Sequence, residues 1–309
     1  MTHAVIIPLF NKAAYITQTL TSLIRQSKLP DELIIVDDLS TDNSLSVVYD
    51  FLRDHISAFG HCRIQVIRLT ENKGPGNARN IGFAAIHSEL VSFLDADDEY
   101  HPDLLSVAAR AFEMHQLDFM VLNIAFMPGN EICPKLKPLK RYLEPLETDL
   151  YLIKHPLLAV SDPHFIMGVG SNVITRSKWI AANRYDSEVQ LNEGIDFWYR
   201  VLKGILSKVP GKIVLQAGAY LYVNEVPESL SRKKYSHFKQ IELPPVIARY
   251  RNSKDKHDQL LMGMIGERWY KYALQNLPSN SQKIRFLWHY RHFWAKYLSY
   301  LFIKSLNLE

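Results

Sequence analysis

Between residues 4 and 126, short apolar runs alternate with stretches of helical periodicity, and this alternation restricts the fold more than any other feature. Ala4-Val5-Ile6-Ile7-Pro8-Leu9-Phe10 reads as a buried strand, with Pro8 marking its end or an irregularity. Residues 13–27 then put Ile16, Leu20, Leu23 and Ile24 on one helical face. Leu33 to Val36 is a second buried strand, and residues 43–59 form a helix with Leu45, Val48, Phe51, Leu52 and Ile56 inward. Ile64 to Leu69 is a third strand, followed by a Gly-rich turn at 72–80 that opens a helix through His87. Leu90 to Leu94, a helix over 102–116 and a strand from Phe119 to Phe126 complete the pattern. Such strands, joined by helices, imply a parallel sheet covered on both faces. Polar chemistry gathers beyond strands one, two and four, on the carboxyl edge where such sheets bind ligands.

The densest of these polar clusters follows the fourth strand. Asp95, Asp97, Asp98 and Glu99 fall within five residues. Four neighbouring carboxylates repel one another and are costly to bury without a partner. A hard divalent cation would neutralise them, and ions of the Mg²⁺ type bind through one or two carboxylates plus substrate phosphates. A solvated acidic turn leading into the helix that His101-Pro102-Asp103 begins is the alternative.

Two further motifs lie on the same edge. Gly74-Pro75-Gly76-Asn77-Ala78-Arg79 has the outline of a dinucleotide fingerprint, but Arg79 stands at the third glycine and the turn follows the third strand. It reads either as a turn presenting Arg79 and helix amides to an anion, or as a tight turn with a solvated arginine. Asp37 and Asp38 end the second strand. Their carboxylates suit a nucleobase N–H or ribose hydroxyls, and two acids exceed what capping the next helix requires.

Beyond residue 127 the alternation weakens. Residues 128–145 are rich in Lys and Pro and read as a loop; a strand at 172–175, short helix at 176–182, helix at 193–206, β-rich run at 213–223 and mainly helical pattern from about 236 follow. Cys62 and Cys133 lack metal-ligand spacing and are expected to be unpaired in a reducing compartment. A strand-like run directly after Met1-Thr2-His3 leaves no visible signal peptide, and no uncharged run approaches the ~20 residues of a membrane-spanning helix.

The net charge of +4 hides an asymmetry: residues 1–231 carry 21 Lys and Arg against 27 Asp and Glu, whereas residues 232–309 carry 15 against 5. A basic end on an acidic body suits an anionic surface. Within 284–306, Phe286, Tyr290, Phe293, Trp294, Tyr297, Leu298 and Leu301 share one helical face, with Arg285, His289, His292 and Lys296 opposite. Such a helix can lie in a membrane interface or pack back on its own domain.

Taken in order, Val5 to Asn11, Val36-Asp37-Asp38-Leu39-Ser40-Thr41-Asp42, Asn72-Lys73-Gly74 through Ala78-Arg79-Asn80-Ile81-Gly82, and Phe93-Leu94-Asp95-Ala96-Asp97-Asp98 resemble the family 2 inverting glycosyltransferases over roughly residues 4–235. The resemblance implies a GT-A fold: an α/β architecture with a mostly parallel central sheet, flanking helices and, here, a helical C-terminal extension. It divides the chain into a transferase domain over 1–235, with its nucleotide-sugar half at 1–127 and acceptor half at 128–235, and a C-terminal region over 236–309. It implies a nucleotide-sugar donor, by default a UDP-sugar, bound by Pro8, Asn11, Asp38, Arg79 and Asp95. Asp97 and Asp98 would hold Mn²⁺ or Mg²⁺ on the diphosphate. Glu193, with Asp196 second, would be the general base, although the family's second acid at this point is Gly194 here. The family's Arg and His near Val226 are replaced by Asn224 and Val226, and Ser229 and Ser231 read as a plain surface turn or as the lining of a loop over the donor. The implied acceptor is a hydroxyl of a surface glycan or a lipid-linked precursor, reached by a cytoplasmic enzyme peripheral to the inner face of the plasma membrane through 284–306. A binding homologue without catalysis, a nucleotidyltransferase and a nucleic-acid-binding module are the alternatives, and nothing in the tail matches a nucleic-acid motif. The sequence leaves the oligomeric state open.

Overall fold

The computed structural model describes residues 1–168, 171–186, 193–224 and 235–293. In chain order the first elements are β1 (His3–Leu9), α1 (Ile16–Ile24), β2 (Glu32–Asp37), α2 (Ser44–His55), β3 (Arg63–Arg68), α3 (Pro75–Ala84), β4 (Leu90–Phe93), β5 (Glu99–Tyr100), α4 (Leu104–His115) and β6 (Phe119–Met127). They are followed by β7 (Glu131–Cys133), α5 (Leu136–Leu139), β8 (Leu143–Glu147), β9 (Leu150–Ile153), α6 (Pro156–Val160), β10 (Val173–Arg176), α7 (Ser177–Ile180), α8 (Glu193–Lys208), β11 (Ile213–Asn224), α9 (Pro245–Tyr250), α10 (Lys256–Asn276) and α11 (Asn280–His289). The chain packs as two compact units, one of residues 1–156 and 166–225, the other of residues 157–165 and 226–309.

The first unit is built on one sheet in the order β3-β2-β1-β4-β10-β6-β11-β9-β8. The alternation over residues 4–94 produces the parallel run β3-β2-β1-β4. Beyond β4 the sheet is mixed: β10 pairs antiparallel with both β4 and β6, and β11 is parallel to β6. Strand period puts Val5, Ile7 and Leu9 of β1 and Leu33 and Ile35 of β2 on one face. They pack there with Ile16, Leu20 and Leu23 of α1, Val48 and Phe51 of α2 and Phe112 of α4, nearly all fully buried. Chain order reverses between β1 and β4, because β2 and β3 lie on one side of β1 and β4 on the other. That crevice, beyond the strand carboxyl ends, is where open α/β sheets bind ligands.

Two sequence expectations are corrected here. Pro8 does not end β1. Pairing of β1 with β4 stops at Ile6–Phe93, while pairing with β2 continues through Pro8–Val36 to Leu9–Asp37. Ile6 turns its carbonyl to the β4 side, accepting from Leu94, and Pro8 has the same parity. The N–H that proline lacks would therefore face past the end of that ladder, so its absence costs no sheet bond. Residues 128–145 are not a plain loop. They contain β7, which adds to β6, and β8, which forms the far edge of the sheet with β9. Both are short and half exposed, and Pro145 is tolerated in an edge strand.

The second unit contains the helices expected after residue 236. Its core is aromatic. Trp269 and Tyr270 of α10 meet Phe286 at ring-centroid distances of 5.0 and 5.5 Å, and Trp269 meets Tyr290 at 4.7 Å. Tyr270 stacks on Phe293 at 5.6 Å. The face of Phe286, Tyr290 and Phe293 expected at a membrane is thus turned inward, because Trp269 and Tyr270 offer it an apolar partner. Trp294 to Leu306, and the motif from Val226 to Ser231, lie outside the described residues. Among the described residues no helix is long and apolar enough to cross a membrane.

Candidate active site

The loops beyond β1 and β2 are laced together by side chains. Asn11 adopts a left-handed φ of 52° and its Oδ1 accepts from the amides of Thr41 at 2.8 Å and Asp42 at 3.3 Å. The Lys12 amide donates to Ser44 Oγ at 2.7 Å, and Ala13 donates to Asp42 Oδ2 at 3.1 Å. Asp38 is buried, and its carboxylate accepts from the amides of Lys73 at 3.0 Å and Gly74 at 2.7 Å. It therefore clamps the end of β2 to the turn that opens α3. Burial raises its pKa, and the two amides only partly offset this. Asp38 and Asn11 are thus at the expected edge, with these protein bonds already formed.

Arg79 is not a solvated turn residue. It is 4% exposed and its guanidinium bridges two acids, donating to Asp95 Oδ1 at 2.6 Å and, very closely, to Glu193 Oε1. It also lies 5.2 Å from the Tyr185 ring centre, and Tyr185 stacks on Phe197 of α8 at 3.8 Å. Asn80 holds Tyr185 in place by exchanging two bonds with its backbone, at 2.9 and 2.8 Å. Burial would lower the Arg79 pKa, but Asp95, Tyr185 and Glu193 outweigh it and keep the guanidinium charged.

The acidic turn spreads its carboxylates in three directions. Asp95 faces Arg79. Asp97 Oδ2 meets Lys12 Nζ at 2.5 Å. Asp98 is buried and accepts from Ser171 Oγ at 2.8 Å, while Ser171 Oγ also accepts from the Asp95 amide at 2.8 Å. Asn224 donates to the Asp97 carbonyl oxygen at 2.7 Å and to Glu99 Oε1 at 3.2 Å. Burial raises the pKa of Asp97 and raises that of Asp98 strongly, with neighbouring acids adding to both shifts. The turn therefore holds more negative charge than Lys12 and Arg79 compensate.

Whether these residues fit a divalent ion can be judged from that donor set. Among the described residues no three His, Cys, Asp or Glu side chains converge as a metal cage. Asp98 is spent on Ser171. Asp97, its side chain 16% exposed and paired with Lys12, is the one carboxylate of the turn left to help hold a hard cation, which would also need oxygens from the substrate's phosphates.

Glu193 opens α8 and its side chain is 16% exposed. Burial raises its pKa, partly offset by Arg79 and the Gly76 amide. Asp196, one turn on, is 1% exposed and bonded to Arg200 Nε at 3.0 Å, so the shared helix face leads to different environments. Gly194 packs against Gly168: a Cβ on Gly194 would lie 2.2 Å from the Gly168 carbonyl oxygen. The first unit thus gathers Asp95, Asp97, Arg79 and Glu193 around one crevice edge and turns Asp98 and Asp196 inward. Sequence reasoning missed Lys12 and Tyr185 as parts of it and marked Asn224 only as a departure from the family's pattern. Lys12, next to Asn11 in the first motif, carried a local signal.

TarS of Staphylococcus aureus, a poly(ribitol-phosphate) beta-N-acetylglucosaminyltransferase, is 32% identical over 135 residues, 43% of this chain and 22% of TarS. ExoU of Rhizobium meliloti, a succinoglycan biosynthesis protein, is 35% identical over 123 residues, 40% of this chain and 33% of ExoU. The matched stretches therefore span about a fifth to a third of these relatives. In three dimensions, TarS 1-349 in complex with UDP-GlcNAc superposes with a TM-score of 0.59 at 19% identity, covering 99% of this chain and 91% of that one. The mannosyltransferase PcManGT of Pyrobaculum calidifontis, in complex with GDP-Man and Mn²⁺, superposes with a TM-score of 0.58 at 14% identity, covering 99% and 86%. These likenesses identify the α/β fold as that of the GT-A transferases. Residues 4–167 match the model of Glycosyl transferase family 2, and the chain belongs to that family.

Proposed function

We propose that the protein is a glycosyltransferase that moves a sugar, with inversion, from a nucleoside-diphosphate sugar to a hydroxyl of a growing surface glycan such as a polysaccharide, lipopolysaccharide or capsule. The observation that carries this reading is the crevice edge where Asp95, Asp97, Arg79 and Glu193 come together beyond β1 and β4. The UDP-GlcNAc bound to TarS supports a UDP-sugar as donor. The surface polymers named for TarS and ExoU support the acceptor class.

In this reading Pro8, Asn11 and Asp38 shape the nucleotide end. Asp95 accepts from the ribose, and Arg79 holds Asp95 and Glu193 in register. Asp97, with Asp98 behind it, would hold Mn²⁺ or Mg²⁺; when bound, that ion stabilises the charge growing on the leaving diphosphate. Glu193 accepts the proton of the acceptor hydroxyl at a carboxylate oxygen as that hydroxyl attacks the anomeric carbon. The new C–O bond forms as the bond to the diphosphate oxygen breaks, and a single displacement inverts the centre. The enclosed Asp196 supports Glu193 as the base. The enzyme would work in the cytoplasm, at the inner face of the plasma membrane, through the region that includes 284–306.

A donor-binding homologue with impaired catalysis is the second reading. It is favoured by Gly194, where packing on Gly168 leaves no room for the acid the family carries. One experiment separates the two. The protein is incubated with Mn²⁺, a panel of nucleotide-sugars and membrane extract as acceptor, and nucleoside diphosphate is measured. Release that falls at least about a hundredfold in a folded Asp97→Ala variant supports transfer. Donor binding without release supports the second reading, and neither binding nor release overturns both.

A further inference from the structure

With its aromatic face buried on α10, α11 presents a different surface outward. Ile284 is 66% exposed and Trp288 69% exposed, the two highest values for large hydrophobic side chains among the described residues. They lie one turn apart on the same helix face. Arg285, His289, Arg291 and His292 are exposed around them, and the Arg291 guanidinium sits 4.9 Å from the Trp288 ring centre. Phe238, Ile284, Arg285, Trp288, His289 and Arg291 line an open groove of about 440 Å³. From Arg268 to Leu308 the chain contains no Asp or Glu, while it contains Arg268, Lys271, Lys283, Arg285, Arg291, Lys296 and Lys304.

We propose that this outward face of α11, Ile284 and Trp288 ringed by Arg285 and Arg291, is the surface by which the protein lies on an anionic lipid bilayer. Trp suits the headgroup boundary, where an apolar ring meets a wet one-sided environment. The aliphatic Ile284 beside it has no use against nucleic-acid bases but gains by entering acyl chains. The arginines reach lipid phosphates, each strengthening attachment to an anionic leaflet. The proposal moves the lipid contact to the opposite side of the helix from the one its aromatic periodicity suggests. It rests on the transferase reading only for its purpose, delivery of the site to a lipid-borne acceptor, and its test does not involve sugar transfer.

The full chain is sedimented with vesicles of phosphatidylcholine alone and of phosphatidylcholine with about one third phosphatidylglycerol. Binding to the anionic vesicles only, with a blue shift in tryptophan emission, is expected. An Ile284→Ser/Trp288→Ser variant should bind at least about tenfold more weakly, and Arg285→Gln/Arg291→Gln should lose a similar factor that high salt removes from wild type. Unchanged thermal midpoints establish that both variants fold, and Trp288→Phe should retain most of the binding. Vesicle binding by Ile284→Ser/Trp288→Ser equal to wild type, or no vesicle binding by the full chain, overturns the proposal. If the chain binds duplex DNA but not vesicles, a nucleic-acid partner replaces the lipid. Nucleotide-sugar turnover in solution stands or falls separately, so failure here leaves the transferase reading to its own assay.

Discussion

At the scale of single residues, the proposed catalysis turns on the Glu193-Gly194 pair. Gly168 has a left-handed φ of 83°, and a Cβ built on it would lie 2.6 Å from the Gly194 carbonyl carbon and the Ile195 nitrogen. Each glycine therefore permits the other's backbone to approach. Gly194→Ala should destabilise the protein by about 1–3 kcal/mol, read from chemical denaturation, because neither backbone can yield without moving α8. A stability equal to wild type would mean the close approach is not maintained in solution. The same contact explains why restoring an acid at 194 should not restore a base. In the proposed mechanism Glu193 would carry the proton transfer, and burial raises its pKa. A base acts when ionised, so the acid limb of kcat/KM should lie above the ordinary glutamate range rather than below it. Glu193→Gln should remove that limb and lower kcat by about 10²–10⁴ while donor affinity holds. An unchanged pH profile in Glu193→Gln would assign the base elsewhere.

At the scale of elements, the candidate site depends on loops being tied across the sheet edge. Asp38 is the tie between β2 and α3, with one amide on each oxygen. Asp38→Asn keeps one acceptor but sets an N–H₂ group against the second amide. The cost should be about 1–3 kcal/mol, and the looser turn should raise KM for the donor more than it lowers kcat. A fall in kcat with unchanged KM and stability would contradict the clamp. These elements were also the legible ones. Buried strands such as Ile34 to Val36 announce themselves because both faces are apolar, and their polar ends mark the ligand edge. β7 and β8 were not legible, since a half-exposed edge strand has no continuous apolar run. The partners of the acidic turn were hidden for another reason: Lys12 and Ser171 lie 85 and 76 positions from the residues they bind, and Asn224 lies 127 away. The tail helix was legible as an amphipathic helix. Periodicity identifies which side is apolar, but not whether a membrane or Trp269 covers it.

At the scale of the whole molecule, the sheet separates stability from chemistry along its strands. The candidate site occupies the carboxyl ends of β1, β2 and β4, while two strongly shifted groups, His3 and Glu32, begin β1 and β2. His3 is fully buried, with Nε2 3.0 Å from Ser92 Oγ. Burial lowers its pKa from 6.5 to about 3; Lys28 adds to the shift and Asp31 opposes it. Glu32 is shifted from 4.5 to about 2: burial would raise it, but bonds from the Ser88 hydroxyl, Arg63 and the His87 and Ser88 amides prevail. Both groups bind fewer protons folded than unfolded, so both make stability fall as pH falls. His3 acts between its unfolded value of 6.5 and its folded value near 3, and Glu32 between 4.5 and about 2. His3 is thus the group that should make the fold acid-sensitive above the carboxylate range. In denaturant titrations at successive pH values, the stability difference between wild type and His3→Gln should shrink by up to about 1.4 kcal/mol per pH unit below 6.5. The common carboxylate contribution cancels in that difference, which isolates His3 from Glu32. Parallel curves for the two proteins would show that His3 is not held neutral in the folded state. Because Glu193 lies at the other end of the sheet, His3→Gln should alter this slope while the acid limb of kcat/KM stays in place, and the two pH dependences can be measured on the same variant.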